Sequence, residues 1–267
     1  MGNKMEFNQP PVNLVMVTYG QPEMCQTNIE RIMEGTDYPH FDLTVIDNCS
    51  LDNTWERVKE TLYKYQGRSQ GIQTSINKGY GQACNLGASI TSAPVIVFLN
   101  SDVYPVEGRG DWLTLLVDEL LDNGDVAVTA PKLVKDGLIM GAGVVGTNKD
   151  RRIRGWQEPD NGQYDDTIDV LSVCGAVMAV KREYFQAYGG FKALYRHYFE
   201  EEDFCWKLRY DGLRIRYVGS SVMAHDHMGS CKDQQTLSNY AEQGQAIFYQ
   251  RWGQWMLEDD TEYGGES

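Results

Sequence analysis

Asn100, Ser101 and Asp102 follow directly on an apolar run, residues 93–99, whose aliphatic and β-branched side chains predict a buried strand. In an open α/β sheet, ligands bind at the carboxyl ends of the strands. An Asn and an Asp two residues apart can offer oxygens to a hard cation such as Mg²⁺ or Mn²⁺, which commonly bridges phosphates. The same triplet is also ordinary turn chemistry after a strand. Its surroundings therefore have to decide between a metal–diphosphate site and a turn.

Strands and helices alternate along the first half of the chain, as the positioning of such a site requires. Alternating strands and helices form parallel βαβ units in a doubly wound sheet. Apolar runs predict strands over 12–18, 41–46, 71–76, 94–99 and 125–134. Helical spacing and capping residues predict helices over 22–33, 54–65, 80–91 and 111–123.

The pattern changes after residue 134. Glycines and polar residues predict hairpins and loops over 137–163, and the basic cluster 151–154 is interpreted as a solvated loop. The acidic, Gly-containing tail from residue 258 is predicted to be disordered. The remaining predicted elements are strands over 169–180, 214–218 and 222–224 and helices over 182–187, 204–210 and 234–252.

Composition narrows the function classes. A net charge of −14 argues against tight non-specific binding to nucleic acid, although it does not exclude a local basic patch. The six cysteines form no CxxC pair, so a zinc knuckle or redox motif is not expected, and free thiols fit a reducing cytosol. The longest apolar stretch is too short to span a bilayer, and the N-terminus lacks the apolar region of a secretory signal. We therefore expect a cytoplasmic protein with no integral membrane segment.

Five segments, in order and at matching spacing, resemble the inverting family 2 glycosyltransferases of the GT-A fold, and most closely the rhamnosyltransferase-like branch. Residues 45–54 (VIDNCSLDNT) resemble the family segment V-D-N-x-S-x-D-x-T, and residues 77–87 (NKGYGQACNLG) resemble N-x-G-F-A-x-A-x-N-x-G. Residues 98–102 (FLNSD) resemble the variant of the DxD motif in which Asn replaces the first Asp. Residues 200–205 (EEEDFC) resemble E-D-x-D-L, and residues 17–19 (VTY) end the first strand.

The resemblance implies an α/β fold: a mixed, mainly parallel GT-A sheet flanked by helices, with a small acceptor-side subdomain. All 267 residues would form one domain. Its nucleotide-sugar-binding half would span about 10–134 and its acceptor half about 135–232. A C-terminal helix over 233–252 and the tail 258–267 would follow.

On the donor side, the end of the first strand would face a nucleotide, and Asp47 would bind its base or ribose or simply cap a turn. Glycines in the 77–81 loop let backbone approach a ligand, and the helix that follows favours the charge of a diphosphate. Asn85 would either hydrogen-bond across the site or cap a neighbouring strand. The donor-side residues are Thr18, Tyr19, Asp47, Asn77, Gly79, Gly81, Asn85, Asn100 and Ser101.

The resemblance implies two metal ligands for Mn²⁺ or Mg²⁺. Asp102 is the first, with Asn100 as an accessory contact. His225 is the second, because residues 225–230 resemble the family segment H-x-x-x-G-S. A surface loop is the alternative for that segment. A cation there would neutralise the departing nucleoside diphosphate.

On the acceptor side, inverting transfer needs a carboxylate that takes the proton of the acceptor hydroxyl. Glu201 occupies the base position, where the family usually has Asp, and Glu200 and Asp203 are the alternatives. Crowding would raise the pKa of these carboxyls. Cys174, Gly175 and Ala176 would line the acceptor face, and Trp156 would stack on a sugar or pack in the core.

The expected reaction moves a hexosyl or deoxyhexosyl group from a UDP-, dTDP- or GDP-linked sugar to an acceptor hydroxyl. A glycan or polysaccharide is the default acceptor; a modified DNA base or a protein stays open. A sugar nucleotidyltransferase is a rival, but its glycine-rich loop after the first strand is missing from residues 18–22. A non-catalytic nucleotide-sugar-binding module is the other rival.

Overall fold

Apolar runs of the chain form the strands of a large mixed sheet in the computed structural model, which describes residues 9–227 and 234–264. The strands are β1 (Val12–Thr18), β2 (Phe41–Asp47), β3 (Ser69–Gln73), β4 (Val95–Asn100), β5 (Val103–Pro105), β6 (Val126–Lys135), β7 (Leu138–Gly141), β8 (Val144–Gly146), β9 (Arg151–Ile153), β10 (Thr167–Asp169), β11 (Val177–Lys181) and β12 (Arg214–His225). The helices are α1 (Pro22–Gly35), α2 (Thr54–Lys64), α3 (Tyr80–Ser89), α4 (Trp112–Asp122), α5 (Arg182–Ala187), α6 (Glu200–Tyr210) and α7 (Gln234–Glu258).

The main sheet has the strand order β10-β12-β6-β11-β4-β1-β2-β3. Strands β4, β1, β2 and β3 are parallel, whereas β11 runs antiparallel to both β4 and β6. The chain leaves β1 for β2 on one side and later returns to β4 on the other. This reversal is a topological switch point, the place where open α/β sheets form a ligand crevice. The predicted parallel α/β half is therefore confirmed.

Each face of the sheet carries its own hydrophobic cluster. Helices α1, α2 and α4 cover one face, and α3, α5 and α6 cover the other. Helix α7 packs on the outer side of α6 through a third cluster centred on Trp206, Phe248 and Trp252. The described parts of the chain contain no helix long and apolar enough to cross a membrane.

The second half departs from the sequence prediction in several elements. Helix α6 begins at Glu200 rather than 204, and α7 continues to Glu258 rather than 252. The two short strands predicted over 214–224 are one strand, β12, with register shifts against β6. The strand predicted over 169–180 is also divided, because only Val177–Lys181 pairs with β4.

Two segments predicted as irregular are ordered. Arg151 lies in β9, where its guanidinium forms an ion pair with Glu202 and stacks on Trp206, so the basic cluster is not simply a solvated loop. In the tail that was predicted to be disordered, Tyr263 exchanges two backbone hydrogen bonds with Gly146. These contacts fasten the end of the described chain to β8.

Candidate active site

Residues 174–176 lie in space between the end of β4 and the start of helix α6. The backbone N–H of Asn100 donates to the carbonyl of Ala176 at 2.9 Å, so the antiparallel pairing of β4 and β11 continues past the strand ends. Gly175 in the same segment touches the first turn of α6, because a Cβ there would lie 3.2 Å from Cγ of Glu201. The predicted metal ligand and the predicted base therefore belong to one site.

Asp102 and His225 form a buried pair at this edge of the sheet. Strand β12 pairs with β5 so that His225 stands opposite Val103, and Nε2 of His225 lies 3.4 Å from Oδ1 of Asp102. The other ring nitrogen, Nδ1, is buried without a hydrogen-bond partner among the described residues. Adjacent ligands of an octahedral Mg²⁺ stand about 3 Å apart, so the two side chains fit a shared cation.

This pair is less than a complete metal site. Nowhere in residues 9–227 and 234–264 do three or more His, Cys, Asp or Glu side chains converge as metal ligands. The remaining coordination positions would be left for phosphate oxygens and water, which is how Mg²⁺ commonly binds at phosphate-handling sites. Residues Gly229 and Ser230 of the predicted H-x-x-x-G-S segment lie outside the described residues.

Asp47 is fully buried under the site rather than presented to a ligand. Its carboxylate accepts hydrogen bonds from the Thr18 hydroxyl, the Gln73 amide, and both the backbone N–H and the hydroxyl of Ser50. These four donors use the acceptor capacity of the carboxylate. In this conformation Asp47 therefore bonds the protein itself, as its turn-capping alternative expects, and the nucleotide contacts of Asp47 and Thr18 stay predictions.

The 77–81 loop packs against residues 191–200. A Cβ on Gly79 would lie 2.5 Å from the carbonyl oxygen of Arg196, and one on Gly81 would lie 3.0 Å from the Phe191 side chain and 3.3 Å from that of Glu200. The guanidinium of Arg196 donates to the Asn77 carbonyl at 2.8 Å. A close approach of the protein to itself therefore requires these glycines, and the predicted contact of the loop with a diphosphate stays a prediction.

Asn85 and Ser101 also turn inward. The Asn85 amide donates to the Phe191 carbonyl at 2.8 Å and accepts from the Phe191 N–H at 3.0 Å, so it caps backbone between α5 and α6 rather than a strand. The Ser101 side chain is buried, and its carbonyl accepts from Asn28. Of the predicted donor-side residues, Tyr19, Asn77 and Asn100 are partly exposed and stand where a nucleotide could contact them.

The first turn of α6 holds two carboxylates without cationic partners. Glu200 is 2% exposed, and its Oε2 has no hydrogen-bond partner among the described residues. Burial, and then the charge of Glu201, raise the pKa of Glu200 to about 8. Glu201 packs over Gly175, where a Cβ would lie 3.2 Å from its Cγ, and burial raises its pKa as well. The charge of Glu201 therefore raises the pKa of Glu200 as predicted, but burial raises that pKa more.

Asp203 is an anchor and not an alternative base, contrary to the sequence prediction. Its carboxylate is 2% exposed and accepts from the Tyr195 hydroxyl at 2.9 Å, the Trp252 indole at 2.8 Å and the Arg251 guanidinium at 2.6 Å. These contacts bind α7 to α6. Glu202 is partnered as well, since Arg151 reaches it at 2.6 Å, although burial still raises the pKa of Glu202 to about 7.

Trp156 is a surface residue beside the metal pair. Its side chain is 40% exposed, which removes the core-packing alternative. Its ring centroid lies 5.7 Å from that of His227, which lies 5.0 Å from that of His225. An exposed indole next to the presumed leaving-group position is suited to contact an acceptor or a transferred sugar.

Sequence reasoning missed Arg196, which joins the two halves of the site, and Asn48, which holds the 77–81 loop. Asn48 donates to the side chain of Asn77 and accepts from the backbone N–H of Lys78, so it fixes the 77–81 loop from the end of β2. Asn48 stands inside a recognised segment and could have been found there. Arg196 stands in an irregular stretch with no motif, and nothing in its neighbourhood signals its role.

Comparisons with known proteins identify the family of the chain. The family model described as Glycosyl transferase family 2 matches residues 14–189. The O-antigen biosynthesis protein RfbC of Myxococcus xanthus is 24% identical over 229 residues, 83% of this chain and 18% of that protein. A pre-mycofactocin glycosyltransferase of Mycobacterium tuberculosis is 30% identical over 162 residues, 59% of this chain and 32% of that protein. The chain thus spans a third or less of these relatives.

Two solved structures share the fold at low sequence identity. A Pyrobaculum calidifontis mannosyltransferase, solved with GDP-Man and Mn²⁺, superposes with a TM-score of 0.62 at 16% identity. The superposition covers 82% of this chain and 57% of the mannosyltransferase chain. GalNAc-T7, solved with UDP, GalNAc and Mn²⁺, superposes with a TM-score of 0.67 at 16% identity. This superposition covers 82% of this chain and 44% of the GalNAc-T7 chain. With the fold and the family match in agreement, the chain belongs to glycosyl transferase family 2 and has a GT-A-type fold.

Proposed function

We propose that the protein is a metal-dependent glycosyltransferase that moves a hexosyl or deoxyhexosyl group from a nucleoside-diphosphate sugar to an acceptor hydroxyl, with inversion at the anomeric carbon. The observation that carries the proposal is the order of groups at one edge of the sheet. The Asp102–His225 pair comes first, then the 174–176 segment, then Glu201. A leaving-group site and a base on either side of one short segment suit an in-line displacement.

Asp102 and His225 would hold Mn²⁺ or Mg²⁺ at the switch point between β1 and β4. When bound, such a cation neutralises the charge that develops on a departing diphosphate. The exposed faces of Tyr19, Asn77 and Asn100 would contact the nucleotide. Both superposed structures contain Mn²⁺, together with GDP-Man in one and UDP in the other, which supports a UDP-, dTDP- or GDP-linked donor.

Glu201 would act as the base. As the acceptor oxygen attacks the anomeric carbon, its proton passes to the Glu201 carboxylate, and the nucleoside diphosphate leaves from the opposite side. With a pKa of about 8, Glu200 stays protonated near neutral pH, so Glu201 ionises beside an uncharged neighbour. A carboxyl with a raised pKa is better matched to proton transfer near neutral pH than an ordinary one.

A glycan or polysaccharide is the acceptor class we propose, in keeping with the O-antigen role in the name of one relative. The five described cysteines are free thiols, which fits reaction in the reducing cytosol.

The test is a panel of UDP-, dTDP- and GDP-sugars with Mn²⁺, with nucleoside diphosphate release as the readout. We expect slow hydrolysis of at least one donor, loss of turnover in Asp102→Ala, and normal turnover in the exposed control Asp122→Ala. The anomeric proton coupling of the product reports the stereochemistry. Pyrophosphate release from a nucleoside triphosphate, or full activity of Asp102→Ala, would refute the proposal.

A further inference from the structure

A cleft of about 440 Å³ opens between the start of α6 and the start of α7. Its first wall is the turn into α6, where Tyr198 and Phe199 both have left-handed backbones, with φ of 70° and 71°. Glu201 and Glu202 complete this wall. The carboxylate proposed as the base thus lies in the lining of the cleft.

The second wall is the first turns of α7, through Leu237, Ser238 and Ala241. Gly244, one turn further along, sets the spacing, because a Cβ there would lie 2.8 Å from the Phe199 ring. The Asp203 contacts with Arg251 and Trp252 fasten the far half of the same helix. The cleft is therefore bounded by two helices whose separation is fixed by packing and by a buried ion pair.

The chemistry of the lining selects among acceptors. Leu237, Ala241 and the Phe199 ring offer apolar surface, and Tyr198 is an aromatic side chain that is 38% exposed. The polar groups of the lining are a hydroxyl and two carboxyls, and no described lining residue carries a positive charge. Arg151 already pairs with Glu202, but Glu201 has no cationic partner among the described residues, so an anionic acceptor would meet like charge at the base. A pyranose ring, in contrast, has both hydroxyls and an apolar face.

We infer that this cleft is the acceptor subsite and that it takes the end of an uncharged glycan, with α7 as the element that determines acceptor specificity. This inference rests on the proposed function and adds to it the class of acceptor. The acceptor ring would lie between the aromatic turn and Leu237, with one hydroxyl directed at Glu201.

The experiment compares two acceptors that differ only in charge, a neutral alkyl pyranoside and the corresponding uronate, using a donor that the wild-type enzyme hydrolyses. We expect the neutral compound to be used at least tenfold better in kcat/KM. In Ala241→Trp, which fills the cleft, the acceptor KM should rise at least tenfold. The matched control is Gln243→Trp, on an exposed position of the same helix, which should leave both the acceptor KM and donor hydrolysis without acceptor within twofold of the wild type.

A gain-of-function variant tests the charge argument separately. Ser238→Lys places a cation on the exposed rim of the cleft and should narrow the gap between the uronate and the neutral acceptor. Equal use of both acceptors by the wild type, transfer to peptides or DNA but to no pyranoside, or an unchanged KM in Ala241→Trp would overturn the inference. If no nucleotide sugar is hydrolysed at all, the proposed function fails instead.

Discussion

Glu200 and Asp203 stand three residues apart on α6 and are equally buried, at 2% exposure each, yet their carboxylates lie in opposite surroundings. Asp203 accepts from a phenol, an indole and a guanidinium, all of which belong to the packing of α7 against α6. Glu200 has an unpartnered oxygen and a second carboxylate, Glu201, as its neighbour. The number of donors, and not the depth of burial, separates an anchor from a group that holds its proton.

The largest expected effect on activity comes from changing Glu201, which lies between Glu200 and Asp203 on α6. Glu201→Gln keeps the shape of the side chain but removes the base, so kcat for glycosyl transfer should fall by roughly 10²- to 10⁴-fold. The dissociation constant for the donor should stay unchanged, as measured by calorimetry. Glu242→Gln, at an exposed position of α7, should behave as the wild type. A Glu201→Gln enzyme with normal kcat would move the base elsewhere on α6.

Asp203→Asn should have the largest effect on stability. It removes the charge that faces the partly exposed Arg251 and weakens the hydrogen bonds that Asp203 accepts from Tyr195 and Trp252, which costs about 2–4 kcal/mol. At about 2–4 °C per kcal/mol for a chain of this size, Tm should fall by roughly 8 °C. Glu200→Gln, three residues away and equally buried, should leave Tm at neutral pH unchanged or raise it. Equal losses in the two variants would erase the distinction between the two carboxyls.

Glu200→Gln should change the pH dependence of stability. In the folded protein the pKa of Glu200 is raised from 4.5 to about 8, so the folded state holds a proton that the unfolded state has lost. The free energy of unfolding of the wild type should therefore decline as pH rises between these two values, and level off above them. Denaturant titrations across this range should show a flatter decline for Glu200→Gln. A wild-type decline with the same slope would mean that Glu200 ionises normally.

The same variant should leave the pH profile of activity in place. Glu200 is already uncharged where Glu201 ionises, so Glu200→Gln removes no charge beside the base and the acidic limb of kcat/KM should not move. A limb that moves to lower pH would mean that Glu200 is ionised beside Glu201.

The smallest effect is expected from Asn85→Ala, on the donor side. It removes two hydrogen bonds to the Phe191 backbone, which should lower stability by about 1–3 kcal/mol. Because the amide faces the protein, the KM for the donor should not change once the enzyme is folded. A raised donor KM would mean that Asn85 contacts the nucleotide after all.

The first half of the fold is predictable because its central strands, β1 and β4, are buried on both faces. Every residue of β1 is buried, so the apolar run in the sequence ends where the strand ends. The second half is harder to predict, because its elements are held in place by side chains that are distant in sequence. The start of α6, for example, depends on the left-handed turn at Tyr198 and Phe199, which no propensity signals.

The site divides in a similar way. Asp102 and His225 are predictable because each stands in a recognisable motif, and the pairing of β5 with β12 brings the two side chains together. The role of Asp203 is hidden, because two of its partners, Arg251 and Trp252, lie more than 45 residues away on α7. A motif identifies a carboxylate; whether it binds a ligand or the protein itself is decided by tertiary contacts that a motif does not contain.

The contact between Gly79 and Arg196 has a consequence for protein engineering. With φ of 81° and a carbonyl oxygen 2.5 Å from where a Cβ would stand, position 79 excludes other side chains on two independent grounds. Because the loop of one half and the backbone of the other meet at this point, the halves are not interchangeable modules. A chimera that takes its acceptor half from a relative would have to import the 77–81 loop and the 191–200 segment as one unit.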